Sequence, residues 1–368
     1  MRFIALPLVL ACACGDDSSR ESAASAASQS SQGSIGTLTN ASMSAGETDG
    51  TATQATTGGA PTTGASGGSG EDDDTGAAST LPKFDFGVQP DVAEPMPDTG
   101  CTKVDLLFVI DSSGSMEDEQ VVLVQSFPDF VAEMQTQLAD TDSYHIGVVS
   151  SDAYPFNDPV CAVDGALVTQ TGGAGSSNSV CTPFATGKRW MDQSEPNLNQ
   201  KFSCAAQVGI NGDGNERPIH AMITAVGAGM NGPGACNDGF IRPDALLVVV
   251  LITDEEDDHE VQACNMVPQP GSPGEPPGWF QGLVAAKAGV ETNVVVLSLI
   301  GPTGQPCPAL DKCGGGIIGA ELSPRLVEFT EMFTYGIVGQ ICAPSYKQFF
   351  SDAIAQISSA CEGYTPPG

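Results

Sequence analysis

The sequence has few basic residues and little histidine. Its 368 residues include 13 Lys and Arg against 45 Asp and Glu, with three His, for a formal net charge of −32. Residues 1–98 hold 13 of the acids and three of the bases, which leaves 32 acids and ten bases in residues 99–368, a net charge of −22. Nucleic acid and anionic membrane surfaces are bound through clustered Lys and Arg. This composition therefore excludes both as partners of residues 99–368.

Long apolar runs are also absent. The apolar stretch at residues 3–11 follows a basic start and is too short to span a bilayer, so we predict a secretory signal. Its end, Val-Leu-Ala-Cys12, resembles a bacterial lipobox, in which the Cys is lipidated and becomes the amino terminus. We predict lipidation at Cys12, with Cys14 or an ordinary signal peptide as the alternatives. The protein would then be exported and lipid-anchored to the bacterial cell envelope, facing the surface or periplasm, with its lipid as the sole membrane contact.

Aromatic residues are missing from residues 15–80, where Ile35, Leu38 and Met43 are the only large aliphatic side chains. Such a segment cannot offset the entropy of ordering. We therefore predict four regions along the chain: a signal peptide at 1–14, a disordered Ser/Thr/Gly-rich acidic linker at 15–98, one domain at 99–363 and a tail at 364–368.

CxxC pairs are absent too, and the three His residues are scattered, which argues against a zinc site. Ten cysteines follow Cys14, and an even number on an exported chain indicates disulfides. Connectivity does not follow from the sequence. Position and proximity suggest three candidate pairs: Cys101–Cys361, which would close the domain, Cys161–Cys181 and Cys307–Cys313.

Five apolar segments alternate with segments of helical periodicity: residues 104–110, 146–150, 246–252, 294–300 and 335–341. This alternation is typical of an α/β fold with a doubly wound, mostly parallel sheet flanked by helices. Pro128 should kink or restart the first helix, and Ser345 with Gln348 has the spacing of a capping box for the last. The insertion at residues 155–195 is either a ligand-contacting loop or a disulfide-stapled decoration.

The first apolar strand, residues 104–110, ends in the sequence Asp111-Ser-Ser-Gly-Ser115 before a helix that begins near residue 117. Asp111, Ser113 and Ser115 occupy alternate positions where a strand's carboxyl end meets a helix. One carboxylate and two hydroxyls suit Mg²⁺ or Ca²⁺. The alternative is a Ser/Gly-rich connecting turn. A second apolar strand, residues 246–252, ends similarly in Thr253-Asp254.

Together these two motifs resemble a von Willebrand factor A (VWA) domain over residues 101–361. The metal-ion-dependent adhesion site of that family begins with DxSxS and includes a later strand-end Asp. The resemblance implies a VWA/Rossmann-like fold, here with disulfide-stapled loop insertions. It also implies a divalent metal held by Asp111, Ser113, Ser115 and Asp254, with Mg²⁺ expected first and Ca²⁺ or Mn²⁺ as alternatives. An acidic group of a protein or other ligand would bind at the metal's open position.

One residue departs from the family pattern. A loop that supplies a Thr to the metal in VWA domains places Glu216 there instead, by rough alignment. Glu216 either joins the metal site as a third carboxylate or starts a helix and faces solvent, where the helix dipole favours an acid. The acids at residues 255–258 also allow two interpretations, because they repel one another unless a cation is near: they either lie beside a cation or form a solvated loop. For these we expect a solvated loop.

The sequence therefore predicts a cell-envelope lipoprotein with a metal-binding recognition head, and not an enzyme. A structural or sensory envelope subunit with a degenerate metal site is the alternative. A hydrolase is less favoured, because Ser115 does not lie in a GxSxG motif and His145, His220 and His259 have no suggestive context.

Overall fold

The computed structural model describes residues 100–139, 141–213, 215–257, 271–304, 307–310 and 318–366. The predicted signal peptide, Cys12 and the predicted linker lie outside these residues, as does Cys313. Within the described ranges, no helix combines the length and apolar character that a membrane span requires.

A six-stranded sheet forms the centre of the described structure. Its strands are β1 (Lys103–Ile110), β2 (Ser143–Ser150), β3 (Met191–Asp192), β4 (Leu246–Ile252), β5 (Val294–Ile300) and β6 (Tyr335–Gln340). Their order in the sheet is β3-β2-β1-β4-β5-β6. All neighbours pair in parallel except β3, a two-residue edge strand that runs antiparallel to β2. The predicted mixed α/β architecture with a mostly parallel sheet is confirmed, whereas β3 was not predicted.

The strand order reverses beside β1. The chain moves from β1 outward to β2 and β3, then returns to place β4 on the other side of β1. Ile110 at the end of β1 is in register with Ser150 on β2 and with Ile252 on β4. Three strands therefore end side by side. In open α/β sheets, ligands bind in the crevice outside such a reversal.

Helices cover both faces of this sheet. They are α1 (Glu117–Gln137), α2 (Leu198–Ala206), α3 (Pro218–Val226), α4 (Ala228–Asn231), α5 (Pro276–Ala285), α6 (Pro324–Glu331) and α7 (Lys347–Glu362). Side chains of β1 alternate between two apolar layers, as a strand buried on both faces requires. Phe108 packs edge-on against Phe202 of α2, whereas Val109 joins the layer that contains Trp279 of α5.

The structure contradicts two local predictions: a restart of the first helix at Pro128 and the capping box of the last helix. Pro128 lies inside α1, which continues through it for 21 residues. Pro128 faces solvent, and burial of Phe127 and Phe130 on either side favours a continuous helix over a restart. The capping box is also absent: Tyr346 occupies the N-cap of α7, and Gln348 donates to Asp352 instead of reaching back to the helix start.

Disulfides join Cys101 to Cys361, as predicted, and three further pairs lie within the described residues. The other two candidate pairings are corrected: the structure joins Cys161–Cys236, Cys181–Cys204 and Cys307–Cys342. Cys161 and Cys181 lie in one loop but are held against different segments. The insertion is thus tied to α2 and to the segment that precedes β4.

Candidate functional site

Asp111 lies at the strand-order reversal, fully buried, as the first residue after β1. Its backbone N–H donates to the Ile252 carbonyl of β4 (2.9 Å), which continues the sheet register by one residue. Its carboxylate accepts hydrogen bonds at Oδ1 from Ser113 N (2.8 Å) and Ser151 Oγ (3.1 Å), and at Oδ2 from Thr253 Oγ1 (2.7 Å). Three donors from three loops therefore fix its orientation.

The two predicted hydroxyls connect Asp111 to Asp254. The Ser113 and Ser115 hydroxyls are 3.0 Å apart, and Ser115 Oγ donates to Asp254 Oδ1 at 3.2 Å. Ser115 Oγ also lies 3.3 Å from Glu255 Oε1, so Glu255 joins this group instead of the solvated loop that was predicted for residues 255–258. The structure thus brings Asp111, Ser113, Ser115 and Asp254 together at one edge of the sheet.

Glu216 belongs to the same group. Its side chain is 1% exposed, so the interpretation that it starts a helix facing solvent is wrong. Helix α3 begins two residues later, at Pro218, and Arg217 N donates to the Ser151 carbonyl at 3.3 Å. This contact draws the loop inward, against the end of β2. Glu216 hydrogen-bonds to the side chain of Glu255 and is influenced by the charge of Asp111.

Burial and mutual repulsion dominate the electrostatics of these acids. Burial, followed by the charges of Asp111 and Glu255, raises the pKa of Asp254 to about 8 and that of Glu216 to about 11. Burial also raises the pKa of Asp111, against the lowering effect of its hydrogen bonds. Glu119, on the first turn of α1, has its pKa raised to about 10 by burial, with Asp118 and Asp254 adding to the shift. A nearby cation would reverse this balance by favouring the charged forms.

Two buried carboxylate oxygens of this group, Asp254 Oδ2 and Glu216 Oε2, have no hydrogen-bond partner. Buried polar atoms are normally paired, so each of these oxygens is available to accept a further partner such as a water molecule or a cation. Carboxylate and hydroxyl oxygens are the donor set of hard divalent cations, and the residues present fit such an ion. Across the described ranges, no group of three or more His, Cys, Asp or Glu is arranged as a metal centre. The candidate site instead depends on hydroxyls placed among its carboxylates.

Glu256 and Asp257, which follow Glu255, have a different role. Asp257 is fully buried and accepts from Ile219 N (3.1 Å) on the first turn of α3 and from Ser272 N (2.6 Å). Glu256 accepts from Arg325 N (2.7 Å) on the first turn of α6. Both helices begin with Pro, which leaves the next N–H as the first donor that needs an acceptor. The prediction of a solvated loop is therefore wrong for Glu256 and Asp257.

Polar residues after β2 anchor the loop that carries Glu216. Asp152 Oδ2 accepts from Asp213 N at 2.9 Å, and the Ser112 carbonyl accepts from Gly212 N at 2.7 Å. A Cβ on Gly212 would lie 2.1 Å from Ser112 Oγ, so only glycine allows this close approach. The sequence analysis assigned Asp152 no role. The sequence feature that could have indicated a role is its position two residues after β2, a buried strand beside β1.

A second cluster of charges lies at the opposite, amino edge of the sheet. Asp105 of β1 accepts from Arg242 N (2.7 Å) and Nε (2.8 Å), and Lys287 Nζ donates to the Arg242 carbonyl at 2.6 Å. His145 stacks on Trp190 with ring centroids 3.7 Å apart, and its Nδ1 bonds to the Phe240 carbonyl. Every ionic group here has a partner within the cluster. These residues stabilise the amino edge of the sheet and lie apart from the candidate site.

A comparison with protein-family models and one with curated proteins each give no match. Among solved structures, the chain is similar to proximal thread matrix protein 1 from the mussel byssus, at 14% identity and a TM-score of 0.34. The alignment covers 71% of this chain and 49% of that chain, so this chain spans about half of that protein's length. A similarity of this extent carries no inference about fold family or function.

Proposed function

We propose that the protein is a cell-envelope lipoprotein whose VWA-like head, residues 99–363, binds one divalent cation and uses it to recognise a protein or other ligand. Mg²⁺ is the expected cation, with Ca²⁺ or Mn²⁺ as alternatives. Asp111, Ser113, Ser115 and Asp254 would hold it. The anchoring part of this proposal comes from the lipobox-like sequence that ends at Cys12.

The observation that carries the proposal is the convergence of these four residues at the reversal of strand order, with a buried carboxylate oxygen of Asp254 left unpaired. A divalent cation would neutralise the buried carboxylates and offer a coordination position to an acidic group. The chain's own residues prepare the site. Thr253 and Ser151 hold the Asp111 carboxylate in place, and the Ser113–Ser115 contact fixes the turn.

Binding is favoured over catalysis by the surroundings of Ser115. Its hydroxyl donates to carboxylates, Asp254 and Glu255, and the described residues give it no imidazole partner. His145 lies at the opposite edge of the sheet, and His220 pairs with Asp164 at 3.5 Å. A nucleophilic serine needs a base oriented toward its hydroxyl, and these contacts provide none.

Isothermal titration calorimetry of the purified protein tests the proposal. Mg²⁺ and Mn²⁺ should each bind with a stoichiometry of one, and Asp111→Ala should abolish binding. Asp244→Ala is the matched control, because Asp244 pairs with Lys103 at the amino edge and its loss removes one charge far from the site. Absence of binding by the wild type would reject the metal-dependent function and leave a structural or sensory envelope subunit as the interpretation.

A further inference from the structure

The insertion at residues 155–195 contains a short hairpin, residues 169–181. An antiparallel bridge joins Gln170 to Val180 across it. Residues 165–187, which include the whole hairpin, contain no Asp, Glu, Lys or Arg, although the rest of the chain is strongly acidic. The hairpin can therefore influence a cation site through its contacts and not through a charge of its own.

The tip of the hairpin is joined to the segment at residues 207–212. Ile210 N donates to the Ala174 carbonyl at 3.0 Å, and Ala174 N donates back to the side-chain oxygen of Asn211. Gly209 has a φ of +83°, and a Cβ there would lie 2.5 Å from the Ala174 carbonyl oxygen. Only glycine allows this approach. The two segments are thus in direct backbone contact.

A disulfide fixes the same contact from the base of the hairpin. Cys181, the last residue of the hairpin, is joined to Cys204 on α2. Helix α2 ends at Ala206, so the segment at residues 207–212 follows it directly. The hairpin is therefore linked to this segment both covalently and by backbone hydrogen bonds.

The same segment contacts the DxSxS turn, residues 111–115. Gly212 N donates to the Ser112 carbonyl at 2.7 Å. The Ile210 carbonyl oxygen lies 4.0 Å from the position that a Cβ on Gly114 would occupy. Gly114 separates the two serines whose hydroxyls are 3.0 Å apart and would hold the cation. The segment thus contacts the turn beside both of these serines.

We propose that the hairpin is a positioning element of the candidate cation site. Through the segment at residues 207–212, it holds the DxSxS turn in the conformation that brings the two serine hydroxyls together. This inference rests on the proposed cation site. Groups that orient metal ligands typically change metal affinity by about 10- to 100-fold. The hairpin then contributes to the function of the site and is not only a disulfide-stapled decoration.

The test compares two double variants that each lack one disulfide. Cys181→Ser with Cys204→Ser frees the base of the hairpin from α2. Cys161→Ser with Cys236→Ser is the matched control, because this disulfide joins the same insertion to a different segment, the one before β4. Asn211→Ala removes the acceptor of a hairpin amide and keeps every disulfide, so it tests the inference if the first double variant folds poorly. Urea unfolding establishes that each variant is folded under the assay conditions.

Two measurements report on the site. In calorimetry with Mn²⁺ alone, the variant without Cys181 and Cys204 should bind about tenfold more weakly than the wild type. Asn211→Ala should also weaken binding, and the control double variant should bind as the wild type does. Hydrogen exchange in EDTA needs no cation. Ser113 N–H, which donates to Asp111 Oδ1 at 2.8 Å, should exchange faster in the variant without Cys181 and Cys204 than in the control, because loss of local structure exposes such amides.

The outcomes are distinguishable. Equal Mn²⁺ affinities in the wild type and in all variants would overturn this inference while leaving the cation site intact. Equal weakening by the two double variants would also overturn it, because the hairpin would then act only through general stability. A wild type that binds no Mn²⁺ would reject the proposed function itself. Unchanged exchange of Ser113 N–H in the variant without Cys181 and Cys204 would overturn the inference whatever the wild type binds.

Discussion

Asp254 and Asp257 lie three residues apart, yet their contacts indicate different roles: Asp257 stabilises the fold, whereas Asp254 belongs to the candidate cation site. Substitution of each residue should distinguish the two roles. Asp257 accepts from Ser272 N, Ser272 Oγ and Ile219 N at 2.6, 2.7 and 3.1 Å. Asp257→Ala leaves two buried backbone N–H groups without an acceptor. Each unpaired donor costs about 1–3 kcal/mol. Burial opposes the charge of Asp257 and offsets part of that loss, since it raises the pKa of this carboxyl. We therefore expect Asp257→Ala to lower the free energy of unfolding by about 2–4 kcal/mol.

Asp254→Asn should behave differently. Asp254 has an unpaired oxygen and a pKa raised to about 8, so its charge does not stabilise the fold without a cation. Its substitution should change stability by no more than about 1 kcal/mol in a chelator, within the range of mild substitutions. The wild type should gain about 2.7 kcal/mol when free Mg²⁺ is 100 times its dissociation constant. Asp254→Asn should lose this gain, and Asp257→Ala should keep it.

Urea unfolding followed by circular dichroism, with EDTA or with Mg²⁺, measures both effects. Asp257→Asn serves as a control, because it retains one acceptor oxygen and should lose less stability than Asp257→Ala. The assignment of roles would be refuted by a stability of Asp257→Ala within 0.5 kcal/mol of the wild type, the ordinary range of surface substitutions. It would equally be refuted if Asp254→Asn retained the full gain from Mg²⁺.

Three further predictions concern anchoring, the closing disulfide and pH. Cys12→Ser should release the protein from the membrane fraction of cells, whereas continued association would move the anchor elsewhere. Mass spectrometry of unreduced peptides should recover Cys101 joined to Cys361; Cys361→Ser, which opens this link across 260 residues, should cost about 2–5 kcal/mol. Burial lowers the pKa of His145 from 6.5 to about 4, so the unfolded chain takes up a proton first as pH falls through that window. Between pH 6.5 and 4, the free energy of unfolding of the wild type should therefore fall by up to about 2 kcal/mol more than that of His145→Gln, after allowance for solvent screening. Parallel curves of unfolding free energy against pH would contradict this.

The apolar strands made part of the candidate site predictable. Asp111 and Asp254 each follow an uninterrupted apolar run, and buried parallel strands end at the same edge of a sheet. Their proximity follows from that pattern. Thr253 and Ser151, which orient Asp111, are single polar residues at strand ends and carry no signal of their own. Their role depends on the register between strands, which the structure supplies.

The remaining features depend on contacts between distant segments. Cys161 pairs with Cys236, 75 residues away, because the insertion folds back toward the segment before β4. Glu256 and Asp257 look like a solvated acidic run until the amino ends of two helices are placed beside them. The burial of Glu216 similarly depends on docking of its loop at the end of β2. Residue type and spacing do not encode these long-range arrangements.

A crystal of the protein grown with Mn²⁺ and measured at the manganese absorption edge tests the central claim most directly. The account predicts one anomalous peak at the carboxyl edge of the sheet, about 2.0–2.4 Å from oxygens of Asp111 and from the hydroxyls of Ser113 and Ser115. Asp254 should lie beside the same peak. Well-ordered density for these four side chains with no peak among them, or a single peak elsewhere on the head, would contradict it.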